Sequence, residues 1–198
     1  LEFGWLYGIL PEKKTTIRRP ATGPGRGAHA MTLESLIRSL NLKPHPEGGF
    51  YAETYRAAES VAAPHLPARY GGPRALSTAI YFLLTAQSCS VMHRLKSDEV
   101  FHFYLGDPVE MLLLPPDGGG SVHVLGTDLA AGERPQAVVP AGCWQGARVR
   151  PGGRFSLLGC TVAPGFDFAD FEVGERGELT DRFPGHGGLI GALTRSGA

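Results

Sequence analysis

The strongest constraint on this chain is a rhythm. Short apolar-rich runs fall at residues 49–56, 75–84, 90–93, 99–105, 109–114, 121–125, 136–139, 147–150 and 155–163. Turn sequences such as Gly106-Asp107-Pro108 and Pro116-Asp117-Gly118 separate them. With 28 Gly and 16 Pro in 198 residues, the chain reverses too often for a helical bundle. No helix-length periodic segment lies between the runs. Strands at this spacing predict an all-β sandwich or barrel with minor helices.

Helical signals sit at the ends. Leu33, Leu36, Ile37 and Leu40 fall at i, i+3, i+4 and i+7, one face of a helix. Thr32 suits its N-cap, Glu34 its positive end, and Asn41 with Pro44 stops it. Its apolar stripe should cover one mouth or side of the barrel. A second amphipathic stretch over 178–193, interrupted at Pro184, should pack outside. Residues 12–29 are basic and rich in Thr, Pro and Gly, with no apolar period. Residues 1–30 therefore read as a tag, a leader or a disordered extension. Residues 31–198 read as a single domain.

Charge and cysteine content remove several function classes. The formal net charge is zero and no basic stripe stands out, which argues against nucleic acid. No apolar run is long enough to span a bilayer, so no membrane role is expected. Cys89, Cys143 and Cys160 are odd in number and widely spaced. That argues against a disulfide scaffold and against a thiolate zinc site, and fits free thiols in a reducing, cytoplasmic compartment.

The chemistry concentrates in two segments. In the first, His93 precedes a charged turn and a strand that opens at Glu99 and closes at Gly106. Strand period puts Glu99, Phe101, Phe103 and Leu105 on one face, and Val100, His102 and Tyr104 on the other. Glu99, His102 and Tyr104 could share a pocket only across a bulge. In the second, Pro140-Ala141-Gly142 makes a tight turn before Trp144 and Gln145. A carboxyl among aromatic side chains inside a barrel suggests a ligand pocket with a polar anchor. Gln145 suits a hydrogen-bonding contact. Phe101 and Trp144 suit stacking on a ligand, or the core. Tyr51 and Glu53 share a strand face and would reach a pocket, their own or a partner's. The run Gly165-Phe166-Asp167-Phe168-Ala169-Asp170-Phe171-Glu172 reads as a strand with Phe inward, as a lid over the mouth, or as a dimer edge.

Together these segments resemble the two cupin motifs. The Glu-to-Gly spacing is kept from Glu99 to Gly106, and His93 fits the second His of the first motif. Val91 stands where the first His would be, and Gln145 replaces the His of the second motif. Longer segments resemble the cupin subfamily DUF985, or Cupin_5. They are Pro46 through Arg56, Ser77 through Leu84, His93 through Gly106, Pro140 through Gln145 and Cys160 through Glu172. The resemblance implies a double-stranded β-helix, a jelly-roll barrel of the cupin type with a small-molecule ligand in the barrel, and a homodimer. Glu47 through Glu53 is also similar to a stretch of the dTDP-sugar epimerase group of cupins, without its Arg. That likeness implies a metal-independent isomerase or epimerase acting on a sugar- or nucleotide-like ligand. His93 would be its base, with Tyr104 or Tyr51 as acid. The expected cofactor is none. The alternatives are a non-catalytic binding protein, whose same pocket holds a small polar or nucleotide-like ligand, and a metal-dependent oxygenase or isomerase, whose metal would take His93, Glu99 and His102.

Overall fold

The computed structural model describes residues 32–195. The extension expected over residues 1–30 lies outside them. Helix α1 spans Leu33–Ser39. The Thr32 hydroxyl accepts from the Ser35 amide, and Ser35 Oγ accepts from the Thr32 amide. This reciprocal cap fixes the start of the helix.

The strands are β1 (Lys43–Pro44), β2 (Phe50–Arg56), β3 (Ser60–Val61), β4 (Arg74–Ala75), β5 (Thr78–Thr85), β6 (Cys89–Arg94) and β7 (Asp98–Gly106). They continue as β8 (Val109–Leu114), β9 (Ser121–Leu125), β10 (Gln136–Val139), β11 (Trp144–Val149), β12 (Phe155–Ala163) and β13 (Glu172–Val173). One sheet runs β1-β2-β5-β12-β7-β10 and a second runs β13-β6-β11-β8-β9. Strands β3 and β4 form a small ribbon beside them. All these pairings are antiparallel. The expected rhythm holds, with two adjustments. The run at 75–84 divides into β4 and β5, and the run at 147–150 begins earlier, at Trp144.

Three apolar clusters follow from strand alternation. Phe82, Phe101, Met111, Leu158 and Cys160 meet inside, between the two sheets. Leu36 of α1, with Leu33, Ile37 and Leu40, covers Leu83, Phe155 and Leu157 on the outer face of the six-stranded sheet. Helices α2 (Arg176–Arg182) and α3 (Gly187–Leu193) place Leu179, Ile190 and Leu193 on Met92, Leu112 and Trp144. Both helical stretches thus take the outside positions expected of them.

Besides a register shift between β6 and β11 at Gly146, two bulges in the six-stranded sheet change the facing of side chains. In the β7–β12 pair, Leu158 opposes Phe103 while Leu157 opposes Leu105, which leaves Tyr104 as the extra residue. An unpaired residue inverts the alternation beyond it. Leu105 therefore joins the outer cluster, not the inner face expected for it with Glu99, Phe101 and Phe103. In the β2–β5 pair, Thr54 is the extra residue between Glu53 and Tyr55. Tyr55, which strict alternation would put on the face of Tyr51 and Glu53, is thrown outward and is 55% exposed. Arg56 turns inward in its place.

Two local devices hold the floor and the mouth of the barrel. The turn from β1 to β2 carries Pro46-Glu47-Gly48-Gly49, with positive φ at Gly48 (116°) and Gly49 (72°). A Cβ on Gly48 would overlap the carbonyl oxygen of Cys89, and one on Gly49 would lie 2.5 Å from that of Leu83. Only glycines let this turn press so far into the barrel. The second device is the 165–172 segment. It is not the strand that the alternation of Phe and acid suggests: residues Phe168–Asp170 form a 3-10 turn. Phe168 is 55% exposed, whereas Asp170 is 5% exposed. Arg74 donates to both oxygens of Asp170 at 2.6 Å, and Lys96 Nζ lies 3.5 Å away. These contacts pin the segment across the mouth.

Gly48→Ala should lower stability by about 1–3 kcal/mol from backbone strain alone, with the overlap on Cys89 added. Urea denaturation reads this, and an unchanged midpoint would contradict the close approach. Asp170→Asn should cost about 3–5 kcal/mol, because it leaves Arg74 buried and unpaired. Burial opposes ionisation of Asp170, but the hydrogen bonds and charge of Arg74 outweigh it and hold the carboxyl below its ordinary range. The stabilisation is complete above the ordinary carboxylate range and fades as pH falls through the lowered value. The gap between wild type and variant should therefore close in acid.

Candidate functional site

A cavity of about 320 Å³ opens inside the barrel. Its walls are apolar: Ile80 and Phe82 from β5, Phe101 from β7, and Val162 from β12, with Tyr51 from β2. Thr78, Ile80 and Phe82 alternate along β5, which is why they share this face. Its rim carries Glu53, Arg56, Phe166, Asp167 and Phe168. The 165–172 segment is thus the lid-like element among the alternatives. At the rim Arg56 makes three contacts. Its Nε and Nη2 donate to the two oxygens of Glu53 at 3.1 and 2.7 Å, and its Nη1 donates to Phe166 O at 3.3 Å.

The floor is polar and buried. Glu99, at the start of β7, and Glu47, on the glycine turn, both line the cavity and are 7% and 8% exposed. Gln145 Nε2 donates to Glu99 at 2.6 Å, and the Ser90 hydroxyl donates to Glu47 at 2.8 Å. His93 lies behind the carboxyls. Its Nδ1–H donates to Val91 O at 2.8 Å and is 3.6 Å from Glu47 Oε2, and its ring packs on Phe171. His45 completes the floor, with its Nδ1 accepting from the Glu47 amide at 3.2 Å. In the neutral ring Nε2 then carries the proton.

Burial sets the protonation of these groups. It raises Glu99 to about 7, helped by the charge of Glu47 and opposed by His93, Gln145 and Cys160. It raises Glu47 as well, against the pull of His45 and Ser90. It lowers His45 and His93, so both rings are neutral at pH 7. Cys160, also on the wall, is pushed well up by burial and by the two carboxyls, and stays a thiol. All three cysteines are free.

Of the residues singled out from the sequence, Glu99, Phe101, Tyr51 and Glu53 line the cavity of their own chain. His93 and Gln145 support its floor from behind. His102, Tyr104 and Trp144 lie elsewhere. His102 is three residues from Glu99, and the bulge comes only at Tyr104, so its ring faces outward. There it meets Thr161 Oγ1 at 3.1 Å and Gln136 Nε2 at 3.2 Å. Tyr104 lies across Gly159 on the same outer face and is 50% exposed, which removes it as an acid partner. Trp144 belongs to the cluster under α2 and α3, with the Arg94 guanidinium 4.5 Å over its ring.

The floor does not fit a transition metal. His102 is on the far side of the sheet from His93 and Glu99. Val91 offers no donor, and Gln145 turns its NH₂ group toward Glu99. Among the described residues no three His, Cys, Asp or Glu side chains converge with metal-binding geometry. His45, Glu47 and Arg56 are the site residues that strand reading missed. The signal for Glu47 was the Gly48-Gly49 pair directly after it.

Comparison with known proteins places this arrangement. Residues 34–174 match the family model Cupin_5, described as cupin superfamily (DUF985). An uncharacterised Saccharomyces cerevisiae protein, YML079W, is 31% identical over 148 residues, covering 70% of this chain and 73% of that protein. The solved structure of protein SO0799 from Shewanella oneidensis is 38% identical with a TM-score of 0.74, covering 84% of this chain and 99% of that one. A hypothetical protein from Leishmania major is 34% identical with a TM-score of 0.76, covering 84% of this chain and 100% of that one. The barrel, its motif strands and these matches agree: the chain belongs to the Cupin_5 (DUF985) family of the cupin superfamily.

Proposed function

We propose that this cupin binds a small, sugar-sized organic ligand in the barrel and moves a proton on it without a metal, as an isomerase or epimerase does. Glu99 is the base in this reading, in place of the expected His93. The observation that carries it is the position of Glu99: it lines the cavity and is buried there, which pushes its carboxyl up to about 7. A base poised near the working pH combines a useful ionised fraction with real proton affinity. His93 does not reach the cavity wall, and its neutral ring braces the carboxyl pair from behind.

The other floor groups suit the same chemistry. The Nε2–H of neutral His45 can donate to a carbonyl oxygen as negative charge grows on it. Glu47, raised by burial, is a second carboxyl able to return a proton. The apolar walls and the pinned 165–172 segment keep water away from the reacting carbon. A volume of about 320 Å³ sits at the small end of the range for ligand pockets. A nucleotide is a poor fit, since the rim guanidinium that would meet a phosphate is engaged by Glu53.

Incubating the protein with a panel of aldoses, ketoses and amino sugars in deuterated water tests the reading. Deuterium should enter at the carbon beside the carbonyl, at a rate that rises with pH through about 7 as Glu99 loses its proton. Glu99→Gln should slow exchange by about 10²–10⁴-fold. Tyr104→Phe and His102→Gln, on the outer face, should leave it unchanged. Ligands that bind without exchanging would contradict catalysis and leave a binding protein.

A further inference from the structure

The charge of the cavity indicates the kind of ligand it takes. Four carboxyl groups line it: Glu47, Glu53, Glu99 and Asp167. Arg56 is the one Arg or Lys on the wall among the described residues, and both of its forked contacts go to Glu53. At the floor the acceptors outnumber the donors. Gln145 is 1% exposed, and its Oε1 accepts no hydrogen bond although the same amide donates to Glu99. A buried amide oxygen without a donor costs about 1–3 kcal/mol, and this one belongs to the amide that backs Glu99 from behind the floor.

Ligand chemistries differ in how they meet this floor. An anion would add like charge to a site that already repels itself. A hydroxyl brings one hydrogen and no charge. A protonated amine brings several N–H donors and the missing positive charge. The faces of Tyr51, Phe82 and Phe101 on the wall also suit a cation more than an anion.

We propose that the ligand of this cavity is a small organic ammonium compound, with its nitrogen between Glu47 and Glu99 and its carbon body against Phe82 and Phe101. The inference rests on the cavity being the ligand site, and it stands apart from the proton transfer. It has a consequence for protons. Burial raises both carboxyls, Glu99 to about 7 with the charge of Glu47 adding to the rise. The groups facing them are His45, Ser90, His93, Gln145 and Cys160, which carry no positive charge at pH 7. A bound ammonium ionises the pair, so protons leave as it enters. Affinity should rise with pH through about 7 while the amine itself stays protonated.

Calorimetric titration of the full chain with two matched sets of probes tests this. One set is benzylammonium, benzyl alcohol and benzoate; the other is glucosamine, glucose and glucuronate. The amine of at least one set should bind about ten- to a hundredfold more tightly than its neutral partner, and the carboxylate more weakly than both. Repeating the titration in buffers of different ionisation heat should show proton release. Glu47→Gln and Glu99→Gln, checked for fold by circular dichroism, should each weaken the amine about tenfold or more. A neutral or anionic probe binding as tightly as its amine would overturn the inference and leave the cavity as a ligand site. Amine affinity unchanged in both variants would overturn it by placing the binding elsewhere. Silence from every probe would overturn both the inference and the ligand site.

Discussion

Two carboxyl groups are buried inside one apolar barrel, and the centre of this molecule is arranged around the cost of that burial. Glu47 and Glu99 share a floor that also holds His93 and His45, and no Lys or Arg side chain among the described residues is bonded to either carboxyl. Raising Glu99 from 4.5 to about 7 corresponds to about 3 kcal/mol against its charged form. The amide of Gln145, the thiol of Cys160 and the ring of His93 limit that cost without cancelling it. The protein therefore keeps a strained acid pair where an inert barrel would place two leucines. Such a concession of stability at a cavity is characteristic of a working site.

The scaffold makes the pair possible. Glu99 comes in with β7, held between β12 and the edge strand β10. Glu47 arrives from a turn, not a strand, and only because Gly48 and Gly49 leave room for the carbonyls of Cys89 and Leu83. The Arg74–Asp170 contact, on the far side of the mouth, holds the segment that carries Phe166, Asp167 and Phe168. Floor and rim thus come from separate stretches of chain, each fixed by its own local device.

Much of the fold was legible because its signals are local. Turn residues and alternation marked every strand longer than two residues but not the two-residue strands β1, β3 and β13, and Thr32 and Asn41 marked the first helix. Facing was legible only as far as the first bulge. Glu99 and Phe101 point inward as their spacing requires. Leu105 and Arg56 do not obey it, because the extra residues at Tyr104 and Thr54 depend on strands β12 and β5, distant in sequence. His102, Tyr104 and Trp144 attracted attention as residues that carry chemistry, yet their side chains serve the outer surfaces. Asp170 seemed one of a row of solvated acids, and its burial follows from Arg74, almost a hundred residues earlier. The resemblance carried by the motif residues gave the family correctly. The cupin barrel leaves the chemistry open, since one fold hosts many sites. What distinguishes this site is that Val91 and Gln145 occupy two motif positions, and a carboxyl from a neighbouring turn fills the space nearby.

The central claim is that this barrel holds an acid pair with a shared burden of protonation. It is tested most directly by following the side-chain carboxyl carbons of glutamate-labelled protein by ¹³C NMR across pH, with Glu99 assigned through Glu99→Gln. The account predicts that the Glu99 resonance titrates with a midpoint at about 7, and that Glu47→Gln moves this midpoint down. A Glu99 resonance that titrates near 4.5, the ordinary value for a glutamate, and ignores Glu47 would contradict it.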